Sequence, residues 1–270
     1  MKIKTFLFFI SVGLCFSCSQ YQKVLNGEDL ETKVEMAFKL YEEGKYRKVL
    51  RLWEQIVPGY RGKPQAENVM FKYADTYYQL GDNITAAYQF ELFTKAYPSS
   101  EKQEEAFFKL AKSYFKQSPK YTLDQEPTKI SLSHLQAFIN RYPNTEFLQE
   151  SNEMVKILNE KLERKAYSIA KQYHHMERWL VAMTAFDNFI FDFPGTPYKE
   201  DALFYKFDAQ YQYAAMSLPS KRLERMEEAM ALYEEFTEQF PTSKYRQRAD
   251  NILKKIKISQ EELQTETVSK

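Results

Sequence analysis

The sequence predicts an all-α protein, a tetratricopeptide-like solenoid of about five helical hairpins plus a closing helix, and three observations carry that prediction. Seven glycines and ten prolines are the only strong breakers, and most fall between segments with helical apolar periodicity. Four similar helix ends recur: Tyr97-Pro98, Tyr142-Pro143, Phe193-Pro194 and Phe240-Pro241. Before each proline the register repeats, with Phe93, Phe138, Phe189 and Phe236 five residues back, Phe90, Leu135, Phe186 and Tyr233 eight back, and Ala86, Ser131, Ala182 and Ala229 twelve back. Small, large and large at spacings of four and three form one helical stripe, where the small residue admits a neighbouring helix closely. That stripe marks the second helix of each hairpin.

Taken in order, residues 1–17 read as an export signal, because Lys2 and Lys4 precede an apolar run, Phe6 to Phe16, too short to span a bilayer. Small Ser17 before Cys18 makes Cys18 the expected lipid acceptor, although Cys15 and Phe16 fit a lipoprotein motif loosely. Both cysteines of the chain lie in this region, so no disulfide is expected in the folded part. Residues 18–31 read as a lipidated tether; the residues from Cys18 to Leu30, at roughly 3.3 Å each, would keep the solenoid within about 45 Å of its lipid.

Residues 32–160 hold repeats 1–3. Gly44 with Tyr46 marks the turn of the first hairpin, followed by Val49 and Trp53, and Gly81 marks the turn of the second. Glycine there suits a left-handed helix stop. First helices are marked by Tyr73-Ala74 with Tyr77, Leu110-Ala111 with Tyr114, and Ile169-Ala170 with Tyr173, which match the tetratricopeptide pattern. The repeats exceed the usual 34-residue period, so insertions are needed: Lys116 to Lys129, carrying Pro119 and Pro127 around Leu123-Asp124-Gln125, and Met216 to Lys221. Residues 161–258 hold repeats 4 and 5 and a closing helix with Ile252, Leu253 and Ile256 inward; 259–270 read as a polar, frayed tail.

Charge and motifs narrow the function. Thirty-eight Lys and Arg against 37 Asp and Glu, interspersed without a polybasic block, give no footprint for nucleic acid and leave membrane affinity to the lipid. There is no GxSxG, no glycine-rich phosphate loop, no HExxH and no cofactor motif, and the adjacent carboxylates Glu42-Glu43 and Glu234-Glu235 read as solvated helix surface. His174-His175 cannot form a metal site alone, since adjacent helical residues point about 100° apart; they are expected to face the groove. No enzyme, metal or cofactor is expected.

Most of the aromatic residues belong to the repeat stripes and read as core. One step off the stripe of the first helices, Phe71, Tyr78, Phe108, Phe115 and Tyr167 occupy positions expected to face a concave groove, with Asp75, Gln79, Lys112 and Lys171 beside them. Such a lining suits an extended or helical peptide.

Four segments together resemble the BamD family, also called YfiO or ComL: Cys18-Ser19-Gln20-Tyr21-Gln22-Lys23-Val24-Leu25, Ser118-Pro119-Lys120-Tyr121-Thr122-Leu123-Asp124-Gln125, Phe138-Ile139-Asn140-Arg141-Tyr142-Pro143 and Lys161-Leu162-Glu163-Arg164-Lys165-Ala166. The resemblance runs from Cys18 to about Lys257. It implies a periplasmic five-repeat solenoid held by lipid on Cys18 to the outer membrane, whose C-terminal repeats dock on the POTRA region of a BamA-like barrel protein. The N-terminal three repeats would receive unfolded outer-membrane clients, and Asp124-Gln125 would mark a loop within the third repeat. The acidic start of the fifth repeat, Glu200-Asp201, departs from the family pattern. The rival reading is a repeat-built glycan- or nutrient-binding outer-membrane lipoprotein.

Overall fold

The computed structural model describes residues 20–60 and 66–268, so the signal segment and Cys18 lie outside the described residues. Those residues are helical throughout their regular structure. A short helix α1 over 20–26 is followed by α2 (Leu30–Glu42) and α3 (Tyr46–Tyr60), α4 (Ala66–Leu80) and α5 (Asn83–Ala96), and α6 (Gln103–Gln117) and α7 (Glu126–Arg141). Then come α8 (Leu148–His175) and α9 (Trp179–Asp192), α10 (Lys199–Ala215) and α11 (Pro219–Gln239), and α12 (Arg246–Val268). Five hairpins and a closing helix are thus present, the architecture of a tetratricopeptide-like solenoid. The closing helix continues past Ile258, through the stretch expected to fray.

Local chemistry sets the helix limits. Asp29 caps α2 by accepting from the backbone N–H of Thr32 at 3.0 Å, and Asp82 caps α5 by accepting from that of Thr85 at 3.1 Å. Gly44 and Gly81 end α2 and α4 at φ of 69° and 79°, and the next N–H, of Lys45 and Asp82, reaches back to Leu40 O and Tyr77 O. At the fourth turn the same bond joins Arg178 N–H to Tyr173 O, but the left-handed residue is Glu177 at φ 56°.

The aromatic-proline ends share one further device. Tyr97, Tyr142, Phe193 and Phe240 each stop their helix, because the following proline has no N–H and forces its predecessor out of helical geometry. The hydroxyls of Ser100, Thr145, Thr196 and Ser243 then accept from the backbone N–H two residues on, at 2.9–3.1 Å. Three of those next residues are aromatic and lie flat on a ring of the preceding first helix: Phe147 on Phe108 at 4.2 Å, Tyr198 on Tyr167 at 4.7 Å and Tyr245 on Phe204 at 4.2 Å. In the second hairpin Lys102 replaces the ring and sits 5.0 Å over Phe71.

The small-large-large stripe is the core. Ala86, Ser131, Ala182 and Ala229 are fully buried, as are Phe90, Leu135 and Phe186 above them and Phe93, Phe138 and Phe236 beyond. Tyr233 is the exception: its ring stays half-buried and its hydroxyl donates to Asp250 Oδ1 of α12 at 2.7 Å. On the first helices Ala37, Ala74 and Ala111 are equally buried. On α12, Ala249, Ile252 and Ile256 face inward while Leu253 is half-buried.

The chain forms two compact units, one of residues 1–119 with 124–158, the other of 120–123 with 159–270. The first holds three hairpin cores, around Leu52, Trp53 and Ile56, around Phe90 and Phe93, and around Leu135, Phe138 and Leu158. The second is built around Phe186 and Phe189 and around Phe204, Phe207 and Phe236. Residues 120–123 join it through Arg164, stacked 4.3 Å from the Tyr121 ring, and Lys165, which donates to Leu123 O at 2.7 Å.

Candidate functional site

Asp75 on α4 is the fixed point of the first unit's candidate face. It is fully buried, and its carboxylate accepts from the Tyr41 hydroxyl of α2, from Lys109 Nζ of α6 at 2.5 Å, and from Gln79 Nε2 one turn on at 3.2 Å. A buried carboxylate survives only where charge and hydrogen bonds replace lost water. Burial alone would lower the Lys109 pKa, yet Asp75 and then Glu105, 2.8 Å away, hold it above the usual lysine value. Burial and the bond to Asp75 together push the Tyr41 hydroxyl far above its ordinary pKa, so it stays a donor.

Around this point α4 and α6 lay lysine ammoniums over aromatic rings. Lys109 Nζ lies 5.4 Å from the Phe71 ring and 5.8 Å from Tyr78; Lys116 Nζ lies 3.9 Å from the Tyr78 ring. Lys112 sits 5.3 Å from Phe108 and pairs with Glu150 at 2.6 Å. Burial opposes the charge on Lys112, but Glu150 and Tyr78 raise its pKa. Lys72 covers Tyr41 at 3.9 Å. Cations held over ring faces gain roughly 0.5–2 kcal/mol each, more as water is excluded. Such a face presents ammonium groups beside aromatic rings.

The structure separates the expected residues into two kinds. Tyr78, Gln79, Lys112 and Phe115 are exposed or half-buried on this face. Phe71 and Phe108, expected to face a groove, lie inside instead: each is 4% exposed, Phe71 packed edge-on against Phe90 and Phe93, Phe108 stacked on Phe147. Their rings carry the lysines and do not reach solvent, and Asp75 is likewise enclosed. Tyr167, in the second unit, is buried under Tyr198, while Lys171 lies 5.2 Å over Tyr205. Lys109, Lys116 and Tyr41 were not singled out from sequence, although Lys109, Lys112 and Lys116 fall at the i, i+3, i+7 spacing of one helical stripe.

Asp124 is exposed and accepts from the Glu126 N–H at 3.1 Å, so it initiates α7. Gln125 is buried, its Oε1 accepting from Thr128 Oγ1 at 2.9 Å. The two histidines do not converge: their rings stand 6.2 Å apart at 75°. His174 Nε2–H donates to Asp208 Oδ2 at 2.8 Å between α8 and α10, enclosed by Trp179 and Tyr205, and only His175 is exposed. Among the described residues no group of three or more His, Cys, Asp or Glu could hold a metal, and no helix is long and apolar enough to cross a membrane. Glu200 and Asp201 have internal tasks. Glu200 accepts from Ser243 Oγ at 2.5 Å and the Lys244 N–H at 3.2 Å, and Asp201 accepts from the Tyr245 hydroxyl and pairs with Lys244 at 3.0 Å. They fix the linker into α12.

Comparison with known proteins follows this geometry. A family described as YfiO, outer membrane lipoprotein, matches residues 32–223. Outer membrane protein assembly factor BamD of Caulobacter vibrioides is 30% identical over 112 residues, which are 42% of this chain and 37% of that protein. The protein of the same name from Vibrio cholerae serotype O1 is 20% identical over 222 residues, 78% of this chain and 92% of its own length. Among solved structures, a thermophilic TPR protein of Thermus thermophilus covers 83% of this chain and 99% of its own, at 15% identity and a TM-score of 0.31. The family match extends from α2 into α11, across four complete hairpins and into the fifth, and the chain therefore belongs to the YfiO family of outer membrane lipoproteins.

Proposed function

We propose that the chain is a non-enzymatic scaffold for assembling β-barrel proteins of the outer membrane. Lipid on Cys18 anchors it on the periplasmic side, the face of α4 and α6 receives unfolded barrel chains, and the second unit docks a barrel-forming partner of the BamA type through its POTRA domains. The observation that carries the reading is the lysine-over-ring strip of Tyr78, Lys109, Lys112 and Lys116 in a chain of this family. An unfolded barrel segment alternates aromatic or aliphatic residues with polar ones and has free backbone carbonyls, which is the chemistry this strip accepts. No bond is made or broken: two contacts on one chain raise the local concentration of client at the partner.

Photo-crosslinking probes placed at Tyr78 and Phe115, and separately at Tyr211 on α10, test it in intact cells. The first two should capture unfolded barrel proteins and the third a single large membrane-embedded partner. Capture of the same species from both units, or recovery of no barrel protein, would overturn the proposal.

A further inference from the structure

Residues 20–26 of the expected tether are helical and packed on the fold. Helix α1 occupies 20–26 and is docked: Tyr21 and Leu25 are buried in the first hairpin's core with Leu40, Val49 and Leu52, and the Tyr21 hydroxyl donates to Lys48 O of α3 at 3.1 Å. Only Ser19 separates Cys18 from the first helical residue, so the leash shortens from about 45 Å to at most about 7 Å. The chain thus leaves the fold beside the first turns of α3. That edge is basic. Lys45, Arg47, Lys48 and Arg51 occur with no acid between Glu43 and Glu54. Arg47 and Arg51 lie one turn apart on α3 and both are exposed, and Lys48 Nζ sits 5.3 Å over the Tyr21 ring. Of the flanking acids, Glu43 pairs with Lys45 at 2.7 Å and Glu42 with Lys72 at 3.3 Å. Among the described residues, Arg47, Lys48 and Arg51 make no ion pair.

We propose that this edge of the first hairpin, α1 with Arg47, Lys48 and Arg51 of α3, lies on anionic phospholipid headgroups. The inference rests on the reading that Cys18 carries lipid. Basic residues add to binding at an anionic membrane surface, but only within a Debye length of about 8–10 Å. A leash of at most about 7 Å keeps α1, and with it Lys48 over the Tyr21 ring, close to the lipid. A long tether would not. The occupant is a bilayer surface and not a free phosphate or an acidic protein, because the lipid attachment and the unpaired cations share one edge. The consequence is orientation: the lipid retains the protein, and the cations stop the first hairpin from pivoting about it.

The test uses the lipidated chain in phosphatidylcholine vesicles with and without phosphatidylglycerol. Energy transfer from a dye on Glu43→Cys to headgroup-labelled lipid reports the height of this edge. Transfer should rise with phosphatidylglycerol and fall at high salt, and Arg47→Glu with Arg51→Glu should abolish the rise. Lys95→Glu with Lys129→Glu, the same charge change elsewhere, should leave it intact. In flotation of the full chain carrying Cys18→Ser, the Arg47/Arg51 pair should weaken association with phosphatidylglycerol vesicles at least about tenfold. Transfer and flotation indifferent to phosphatidylglycerol, or equally sensitive to both charge pairs, would overturn the proposal. The mass of the peptide beginning at Cys18 decides the lipid separately: a bare cysteine sinks the anchor, while flotation of the Cys18→Ser chain still decides the basic edge.

Discussion

Tyr41 and His174 hold the same place in the two units, each donating to an enclosed aspartate 34 residues on, Asp75 and Asp208. The glutamines one turn beyond, Gln79 and Gln212, donate to those aspartates too, at 3.2 and 3.4 Å. One recurring polar contact therefore ties a first helix to the next hairpin's first helix in each unit. What differs is the third partner: Lys109 of the third hairpin completes the Asp75 site, whereas His174 takes the place of Tyr41 at Asp208.

The Asp75 site makes the first prediction. Asp75→Ala leaves Lys109, 18% exposed at its side chain, with Glu105 alone and leaves the Tyr41 hydroxyl without its acceptor. Breaking one partner of an enclosed pair costs about 3–5 kcal/mol, and the surviving Glu105 contact places the expected loss at about 2–3 kcal/mol. Urea denaturation measures it. Lys109→Met should cost at least as much, because it strands the buried carboxylate.

Glu177 occupies the left-handed position that Gly44 and Gly81 fill in the first two turns. A side chain there carries about 1–2 kcal/mol of steric cost, partly offset by the greater freedom glycine has when unfolded. Glu177→Gly is expected to stabilise the chain by about 0.5–1 kcal/mol, raising the midpoint of thermal unfolding of the second unit by a few degrees. Gly81→Ala, with positive φ and the opposite exchange, should lower stability.

His134 stacks on Tyr114 at 4.1 Å and 5°, and burial holds its pKa below the usual value of 6.5. The unfolded chain then binds a proton that the folded chain refuses. Stability from this group is complete above the unfolded pKa and is lost as pH falls through it toward the depressed folded value. The wild-type chain should weaken between pH 7.5 and 5.5 more than His134→Phe does. Equal pH slopes for the two would show that other groups carry the acid response.

Tyr245 lies flat on Phe204 at 4.2 Å while its hydroxyl donates to Asp201. A double-mutant cycle with Phe204→Leu and Tyr245→Leu should give a coupling of about 0.5–1.5 kcal/mol. Tyr245→Phe alone retains the ring and loses the bond, so it should fall between wild type and Tyr245→Leu.

The sequence by itself determined the hairpins. A proline after Tyr97, Tyr142, Phe193 and Phe240 cannot continue a helix, and Ala86, Phe90 and Phe93 at spacings of four and three define one buried face, because both effects act within a few residues of the chain. Glu200 and Asp201 could be seen as acidic, but not that Ser243, Lys244 and Tyr245 engage them. Only tertiary structure decided which aromatic residues near the core stripe are covered. Phe71 and Phe108 precede Tyr78 and Phe115 by seven residues on the same helices, so periodicity gives each pair one face. Phe71 is enclosed by Phe90 and Phe93 and covered by Lys102, and Phe108 by Phe147, all from later helices or the links into them, while Tyr78 and Phe115 remain half-exposed. The same holds for the 34-residue contacts of Asp75 and for the docking of α1 on Lys48. Each depends on the lateral spacing of two separately folded helices, which is set by how side chains pack between them and not by the period of either.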